Sequence, residues 1–104
     1  MNNEPKEDAA FVVEEGERSR VTGSLQFMSV TALLSVGVDA IDGGRAAVID
    51  LSGVTSGDSA GLALLIEWLS VAKAAGRSLR YENVPTQLQQ LARLSEVEDL
   101  LLPS

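Results

Sequence analysis

Apolar and polar positions alternate along this chain with two different periods, which together predict an alternation of strands and helices. Alternating or short apolar runs predict strands, and apolar residues recurring every three to four positions predict helices. In chain order the predicted elements are strands at 11–13, 18–25, 46–51 and 79–84 and helices at 29–42, 59–75, 86–94 and within 97–102. The run 46–51 is almost continuously apolar, which is typical of a central strand covered on both faces.

The order of these elements predicts an α/β fold with a mixed, mostly parallel four-stranded sheet packed with about four helices. The turn residues at 14–17 predict a hairpin between the first two strands, and strands joined by helices imply right-handed crossovers. Residues 1–9 are mostly polar and acidic and predict a disordered tail, which leaves 10–104 as a single domain. Gly37 lies inside the first helix, where glycine costs about 1 kcal/mol relative to alanine.

Composition and charge narrow the function classes. The 104 residues carry a net charge of −7, and the eight Lys and Arg residues are scattered, which argues against a nucleic-acid binder. The chain has no cysteine and no histidine, so thiol and imidazole metal sites are excluded, and we expect neither a metal nor a cofactor. No segment reads as a signal peptide or a membrane span. We therefore expect a cytoplasmic protein that reaches a membrane only through a partner.

The most informative segment is the junction 48–62, where an apolar strand runs into a loop of Gly, Ser and Asp and a helix begins. Residues 57–61 match the G-x-S-x-G pattern of a nucleophile elbow centred on Ser59. A serine nucleophile needs a base, however; the chain has no histidine, and Lys73 lies near the far end of the helix. The glycine-rich phosphate-binding patterns of nucleotide sites are absent as well. Both catalysis and nucleotide binding are therefore disfavoured.

A third possibility is a helix N-terminus offered to a partner or to a phosphate. Asp58 and Ser56 are residue types preferred as helix caps, and capping is compatible with docking. A phosphate carried by Ser59 would be tolerated at this helix end and would add about −2 of charge to the surface. At this level the structural cap and the docking site both stay open.

The helix that begins at residue 59 carries two apolar stripes. The first consists of Leu62, Leu65, Ile66 and Leu69, and the second of Leu64, Trp68 and Val71. A helix on one face of a sheet needs only one such stripe, so the second meets either a neighbouring helix or another protein. Tryptophan is a typical anchor of protein interfaces. We predict a partner-binding face made of Ser59, Leu64 and Trp68, with Ser56, Gly57 and Asp58 at its rim.

Residues 50–62 (Asp-Leu-Ser-Gly-Val-Thr-Ser-Gly-Asp-Ser-Ala-Gly-Leu) resemble the signature of STAS domains, the module of sulfate transporters and anti-sigma-factor antagonists. Residues 23–25 are similar to the G-x-L that follows the second strand in that family, and the resemblance extends from 11 to about 102. It implies a SpoIIAA-type fold and a non-enzymatic protein that acts by binding partners. In the antagonists, the residue equivalent to Ser59 is the phosphoacceptor of a partner kinase.

Two positions depart from the pattern of the antagonists. Gln26 stands where they carry an aspartate, and Gly57 stands where an apolar residue is usual. Residues 23–30 and the helix that carries Leu64 and Trp68 look most similar to MlaB-type STAS domains. These are the small cytoplasmic STAS subunits of Gram-negative phospholipid ABC transporters.

The MlaB-type resemblance implies an adaptor that binds and supports an MlaF-like ATPase subunit, with Ser59 at the contact. Through that subunit it would reach an MlaE-like permease and an MlaD-like subunit on the cytoplasmic side of the inner membrane. Such a complex moves phospholipid and maintains outer-membrane lipid asymmetry. The alternative is an anti-sigma-factor antagonist switched by phosphorylation of Ser59, and Gln26 is the sequence feature against it.

Overall fold

The structure, a computed structural model, describes residues 9–101. Its elements in chain order are β1 (Ala10–Val13), β2 (Arg18–Leu25), α1 (Phe27–Asp42), β3 (Val48–Gly57), α2 (Ser59–Ala74), β4 (Arg80–Glu82), α3 (Thr86–Leu94) and α4 (Glu98–Leu101). The predicted order of strands and helices is confirmed. The tail predicted at 1–9 lies outside the described residues except for Ala9, which packs against the core.

A four-stranded sheet in the order β1-β2-β3-β4 forms the base of the fold. β1 and β2 form the predicted antiparallel hairpin, and β2, β3 and β4 run parallel. The two parallel steps go through α1 and α2 and proceed in the same direction across the sheet. Right-handed connections therefore place both helices on the same face. The predicted mixed, mostly parallel sheet is confirmed.

The sheet buries only one of its faces, and this corrects one prediction. Burial alternates along β2, and in β3 Ile49 and Leu51 are fully buried while Asp50 between them is not. The expectation that the strand at 46–51 is covered on both faces is therefore wrong. Its physical reason is the topology, because α1 and α2 share one face and leave the other to polar side chains such as Arg20 and Asp50.

Element boundaries differ from the predicted ones where backbone pairing overrides local sequence. β3 continues past its predicted end at residue 51 to Gly57, because Gly53–Gly57 pairs with the end of β2 across two register shifts. α1 begins at Phe27 instead of residue 29. The Ser29 Oγ accepts the Gln26 N–H at 3.0 Å, and the Gln26 carbonyl accepts the Ser29 N–H at 2.8 Å, which closes the first turn early.

The two long helices lie side by side, and Trp68 fills the space between them. Its side chain is fully buried, and its Nε1 donates to the Leu34 carbonyl oxygen at 3.2 Å. The Trp68 and Phe11 rings pack edge-on, with their centroids 5.5 Å apart. Gly37 of α1 faces the indole so closely that a Cβ there would lie 2.2 Å from a ring carbon. Gly37 lowers the helix propensity of α1, but its missing side chain leaves the space that Trp68 occupies.

No helix within residues 9–101 combines the length and apolarity needed to cross a bilayer.

Asp50 links β3 to the end of β4, and this link is expected to make stability sensitive to acid. Asn83 Nδ2 donates to Asp50 Oδ1 at 2.9 Å, and the Ser52 N–H does so at 2.9 Å. These bonds, the one from Asn83 first, lower the pKa of Asp50 below its usual value of 3.8. A carboxyl group with a lowered folded-state pKa stabilises the fold above its unfolded-state pKa, and that stability is lost as pH falls through the folded-state pKa.

We therefore expect the free energy of unfolding of the wild type to fall more steeply than that of Asp50→Asn when the pH is lowered from 5 to about 2.5. Urea denaturation at several pH values measures this, and an NMR titration of the Asp50 carboxyl checks the pKa itself. Parallel curves for the two proteins would contradict the assigned role of Asp50.

Candidate functional site

The junction singled out in the sequence lies at the carboxyl ends of two adjacent parallel strands. Ser24 pairs with Ser56 and Leu25 with Gly57, so β2 and β3 end side by side, and α1 and α2 begin immediately afterwards. In open α/β sheets, ligand and partner sites typically lie at such strand ends. The topology therefore brings the starts of both long helices to one edge of the molecule.

Asp58, one of the two predicted cap candidates with Ser56, is the N-cap of α2. Its Oδ1 accepts the N–H groups of Ala60 at 2.9 Å and Gly61 at 3.2 Å, and its carbonyl oxygen accepts the Leu62 N–H at 3.0 Å. The carboxylate thus occupies the place that an external anion would take at this helix end. The capping role is confirmed, and a phosphate arriving at Ser59 would meet a negative charge already in position.

The turn into α2 packs closely against the backbone at the end of β2. The Asp58 N–H donates to the Leu25 carbonyl at 3.1 Å, and a Cβ at Gly61 would lie 2.6 Å from that same oxygen. Any larger residue at Gly61 would therefore push the helix away from β2. This contact explains why the motif needs glycine at this position.

The start of α3 supports the same turn from the side. Leu88 is fully buried and would lie 2.8 Å from a Cβ at Gly57, while Gln87 Oε1 accepts the Gly57 N–H at 3.3 Å. Leu88 thus fills the space that a side chain at position 57 would take. Sequence reasoning missed both Gln87 and Leu88, because nothing local to 48–62 indicates that α3 returns to this turn.

Hydroxyl groups connect the two strand ends to the start of α1. The Ser24 and Ser56 Oγ atoms lie 2.8 Å apart, and the Ser29 hydroxyl donates to the Ser24 carbonyl at 2.8 Å. Since Ser56 also leads directly into the Asp58 cap, the α1 start and the α2 start are tied together. We infer that the edge presents one preorganised surface instead of a loose loop.

The predicted partner-binding face is only partly at the surface. Asp58 and Ser59 are exposed and Ser56 is half-buried, but Gly57 is buried. Leu64 is 4% exposed and Trp68 is fully buried. The prediction that Trp68 contacts a partner is therefore wrong in this structure, because α1 covers the second stripe of α2. Leu64 is accessible only as the floor of a groove between the two helices.

Two large apolar side chains at this edge were not recognised as surface residues in the sequence. Phe27 is 74% exposed and Met28 is 87% exposed, at the first turn of α1. Their signal was available, because the buried residues of α1 (Leu33, Gly37, Ala40 and Ile41) define a face from which Met28 points away. Exposed apolar residues beside an ordered turn are typical of a docking surface.

The groups exposed at this edge are those that can contact a partner. The chain has no histidine to activate Ser59, and Lys73 is in the last turn of α2, far along the helix from its start. Within residues 9–101 no cluster of three or more potential metal ligands occurs. What remains is an exposed hydroxyl and carboxylate on a buttressed turn, flanked by exposed apolar side chains.

Comparison with known proteins agrees with this geometry. The model of the MlaB-type STAS domain family matches residues 12–103. The chain therefore belongs to the STAS domain family, and its match is to the MlaB type. No curated protein sequence matches the chain significantly.

Solved structures show the same fold at low identity. The Bacillus cell fate determinant SpoIIAA in its phosphorylated form is 18% identical over 89% of both chains, with a TM-score of 0.65. The unphosphorylated anti-sigma factor antagonist SpoIIAA is 18% identical over 89% of this chain and 86% of that one, with a TM-score of 0.68. A Thermotoga maritima protein assigned as an anti-sigma factor antagonist is 14% identical over 89% and 82%, with a TM-score of 0.69. These likenesses establish the predicted SpoIIAA-type fold.

Proposed function

We propose that this chain is a non-catalytic adaptor subunit of a phospholipid-transporting ABC complex and that it binds the MlaF-like ATPase subunit through the edge around Ser59. The observation that carries the proposal is the MlaB-type match over 12–103. Through the ATPase the chain would be held near an MlaE-like permease and an MlaD-like subunit, on the cytoplasmic side of the inner membrane. Its role there is to support the assembly and activity that maintain outer-membrane lipid asymmetry.

The geometry supports docking through a rigid turn. Asp58 caps α2, and Gly57 contacts Leu88 and Gln87. Ser59 is exposed at the corner where β3 ends and α2 begins, called the Ser59 corner below. A partner that binds a preordered turn pays little conformational entropy on association. A small hydroxyl at the corner also allows close approach of the partner surface.

We expect Ser59→Glu to weaken binding to the ATPase subunit at least tenfold. The new carboxylate would sit beside Asp58, and a contact that buries both charges without a countercharge is costly. Ser59→Ala removes at most one hydrogen bond and is expected to change the affinity by about fivefold or less. Calorimetric titration of the purified ATPase subunit with each variant measures both effects.

The matched control is Ser78→Glu, because Ser78 is exposed just before β4, at the opposite end of the sheet from Ser59. It is expected to bind like the wild type. Equal affinities for Ser59→Glu and Ser78→Glu would show that the surface around Ser59 is not the contact.

The second candidate is an anti-sigma-factor antagonist, favoured by the fold shared with SpoIIAA. Affinity purification of the tagged chain from cells separates the two functions. Recovery of an ABC ATPase with its permease supports the adaptor. Recovery of a soluble kinase-like anti-sigma factor would indicate instead that the protein is an anti-sigma-factor antagonist and that Ser59 is a phosphorylation switch.

A further inference from the structure

An apolar groove of about 440 Å³ runs between α1 and α2 and opens next to the Ser59 corner. Its α1 wall includes Phe27, Val30 and Leu34, and its α2 wall includes Ala60 and Ala63 with the buried Leu64 between the walls. No element within residues 9–101 covers the strip of α1 and α2 that lines the groove. The groove is therefore a surface on which something else can pack.

The spacing of the lining residues describes a seat for a helix. On α1 they stand at i, i+3 and i+7, from Phe27 to Leu34, and on α2 at i, i+3 and i+4, from Ala60 to Leu64. Since both helices follow parallel strands, the two walls run in the same direction for about two turns, roughly 10 Å. The small Ala60 and Ala63 side chains allow a third backbone to come close. An amphipathic helix laid into an apolar groove is a recurrent mode of recognition.

Charge specifies the chemistry of that helix. Glu67 lines the groove at the end away from Ser59 and is exposed. α1 contains no Lys or Arg, and the single basic residue of α2, Lys73, lies beyond the groove in the last turn. The groove lining therefore carries one negative charge, at Glu67, which a Lys or Arg side chain of the occupant would balance.

The same charge argues against two other occupants. A second copy of this chain that docked through the same face would bring another Glu67 to the groove, in a protein of net charge −7. The chain's own residues 1–8 contain Glu4, Glu7 and Asp8 and only one large apolar residue, Met1. Neither offers an apolar face next to a surplus of positive charge.

We propose that this groove receives a short amphipathic helix of the ATPase subunit, whose apolar face packs between Phe27 and the alanine wall and whose Lys or Arg pairs with Glu67. The inference rests on the proposed function and extends it from the Ser59 corner to a second, apolar contact. The corner fixes the position of the partner, and the groove supplies the apolar area that a single exposed turn lacks.

A photo-crosslinking experiment in the intact complex tests the location. The exposed aromatic residue Phe27 is replaced by p-benzoylphenylalanine in the full chain co-expressed with the ATPase subunit, and Leu94, which is 81% exposed at the end of α3, is the control position. We expect a light-dependent crosslink to the ATPase from position 27 and none from position 94.

A charge reversal tests the chemistry. Glu67→Arg is expected to lower the affinity for the ATPase subunit about five- to tenfold, more at low than at high salt. Glu15→Arg makes the same change of charge in the β1–β2 turn, at the other end of the sheet, and is expected to bind like the wild type.

The outcomes separate this inference from the proposed function. If the ATPase copurifies with the wild type but neither the crosslink nor the Glu67→Arg effect is seen, the groove proposal is wrong while the adaptor function stands. If position 27 crosslinks only to a second copy of this chain, the occupant is a dimer partner and the proposal is wrong. If the wild type does not bind the ATPase at all, both proposals fall together.

Discussion

Trp68→Ala is expected to lower the free energy of unfolding by about 3–5 kcal/mol, the usual cost of removing a large buried aromatic side chain. The indole is fully buried between α1 and α2, contacts Phe11 edge-on, and donates to the Leu34 carbonyl. Its removal leaves a cavity at the interface of the two helices. Because domains of this size are typically stable by about 5–15 kcal/mol, the variant would lose a large part of its stability.

Urea denaturation followed by far-ultraviolet circular dichroism measures this effect, because the variant has no tryptophan to report by fluorescence. Trp68→Phe is the matched control: it keeps an aromatic ring but loses the Nε1 donor, and we expect it to cost about 1–2 kcal/mol. A loss below about 1 kcal/mol for Trp68→Ala would contradict the buried position and restore Trp68 as a surface anchor.

Trp68 also shows where sequence reasoning reaches its limit. The 3.6-residue period correctly finds a second apolar stripe on α2, and it correctly implies that something must cover it. Whether the cover is a neighbouring helix or another protein depends on how α1 lies on the sheet. That contact joins residues 34 positions apart, Leu34 and Trp68, and no local pattern contains it. Gly37 held the relevant signal, because a costly glycine inside a helix often marks a close packing partner.

The fold itself was predictable because its elements are encoded locally. Alternation over 18–25 predicts β2 with the bounds that the structure has, and residue type and position limit the cap of α2 to Asp58 or Ser56. The end of β3 was missed because four of the six residues over 52–57 are Ser or Gly, which are typical of turns. Backbone pairing with β2 holds this segment in a strand, although its side chains do not favour one.

The site was predictable in its centre and not in its surroundings. Ser59 and Asp58 lie at the surface as the motif implies, whereas Gln87 and Leu88 reach the turn from an element that begins far along the chain. Phe27 and Met28 lie just before the helix predicted at 29–42 and were not assigned to the site, although their exposure makes them part of the same edge. The support of the turn by α3 is a tertiary property, so a local motif does not reveal it.

Gly37→Ala is expected to destabilise the protein by about 2 kcal/mol, against the direction that helix propensity predicts. Alanine in a helix interior is normally favoured over glycine by about 1 kcal/mol. Here the added methyl carbon would lie 2.2–2.4 Å from three atoms of the Trp68 indole, so either the ring or α1 must move. Overpacking typically costs about 1–3 kcal/mol, and a clash this close is expected at the upper end of that range, so about 2 kcal/mol remains after the gain in propensity is subtracted.

A double-mutant cycle identifies the clash as the cause. In a Trp68→Leu background the indole is absent, so Gly37→Ala is expected to be neutral or stabilising, which gives a coupling energy of about 2–3 kcal/mol between the two positions. Ser35→Ala, at an exposed position of the same helix, is the control for propensity and is expected to be slightly stabilising. Urea denaturation of all variants by circular dichroism gives the four corners of the cycle. A Gly37→Ala protein as stable as the wild type would show that α1 and α2 are not in contact through this pair, and the second stripe of α2 would then again be available to a partner.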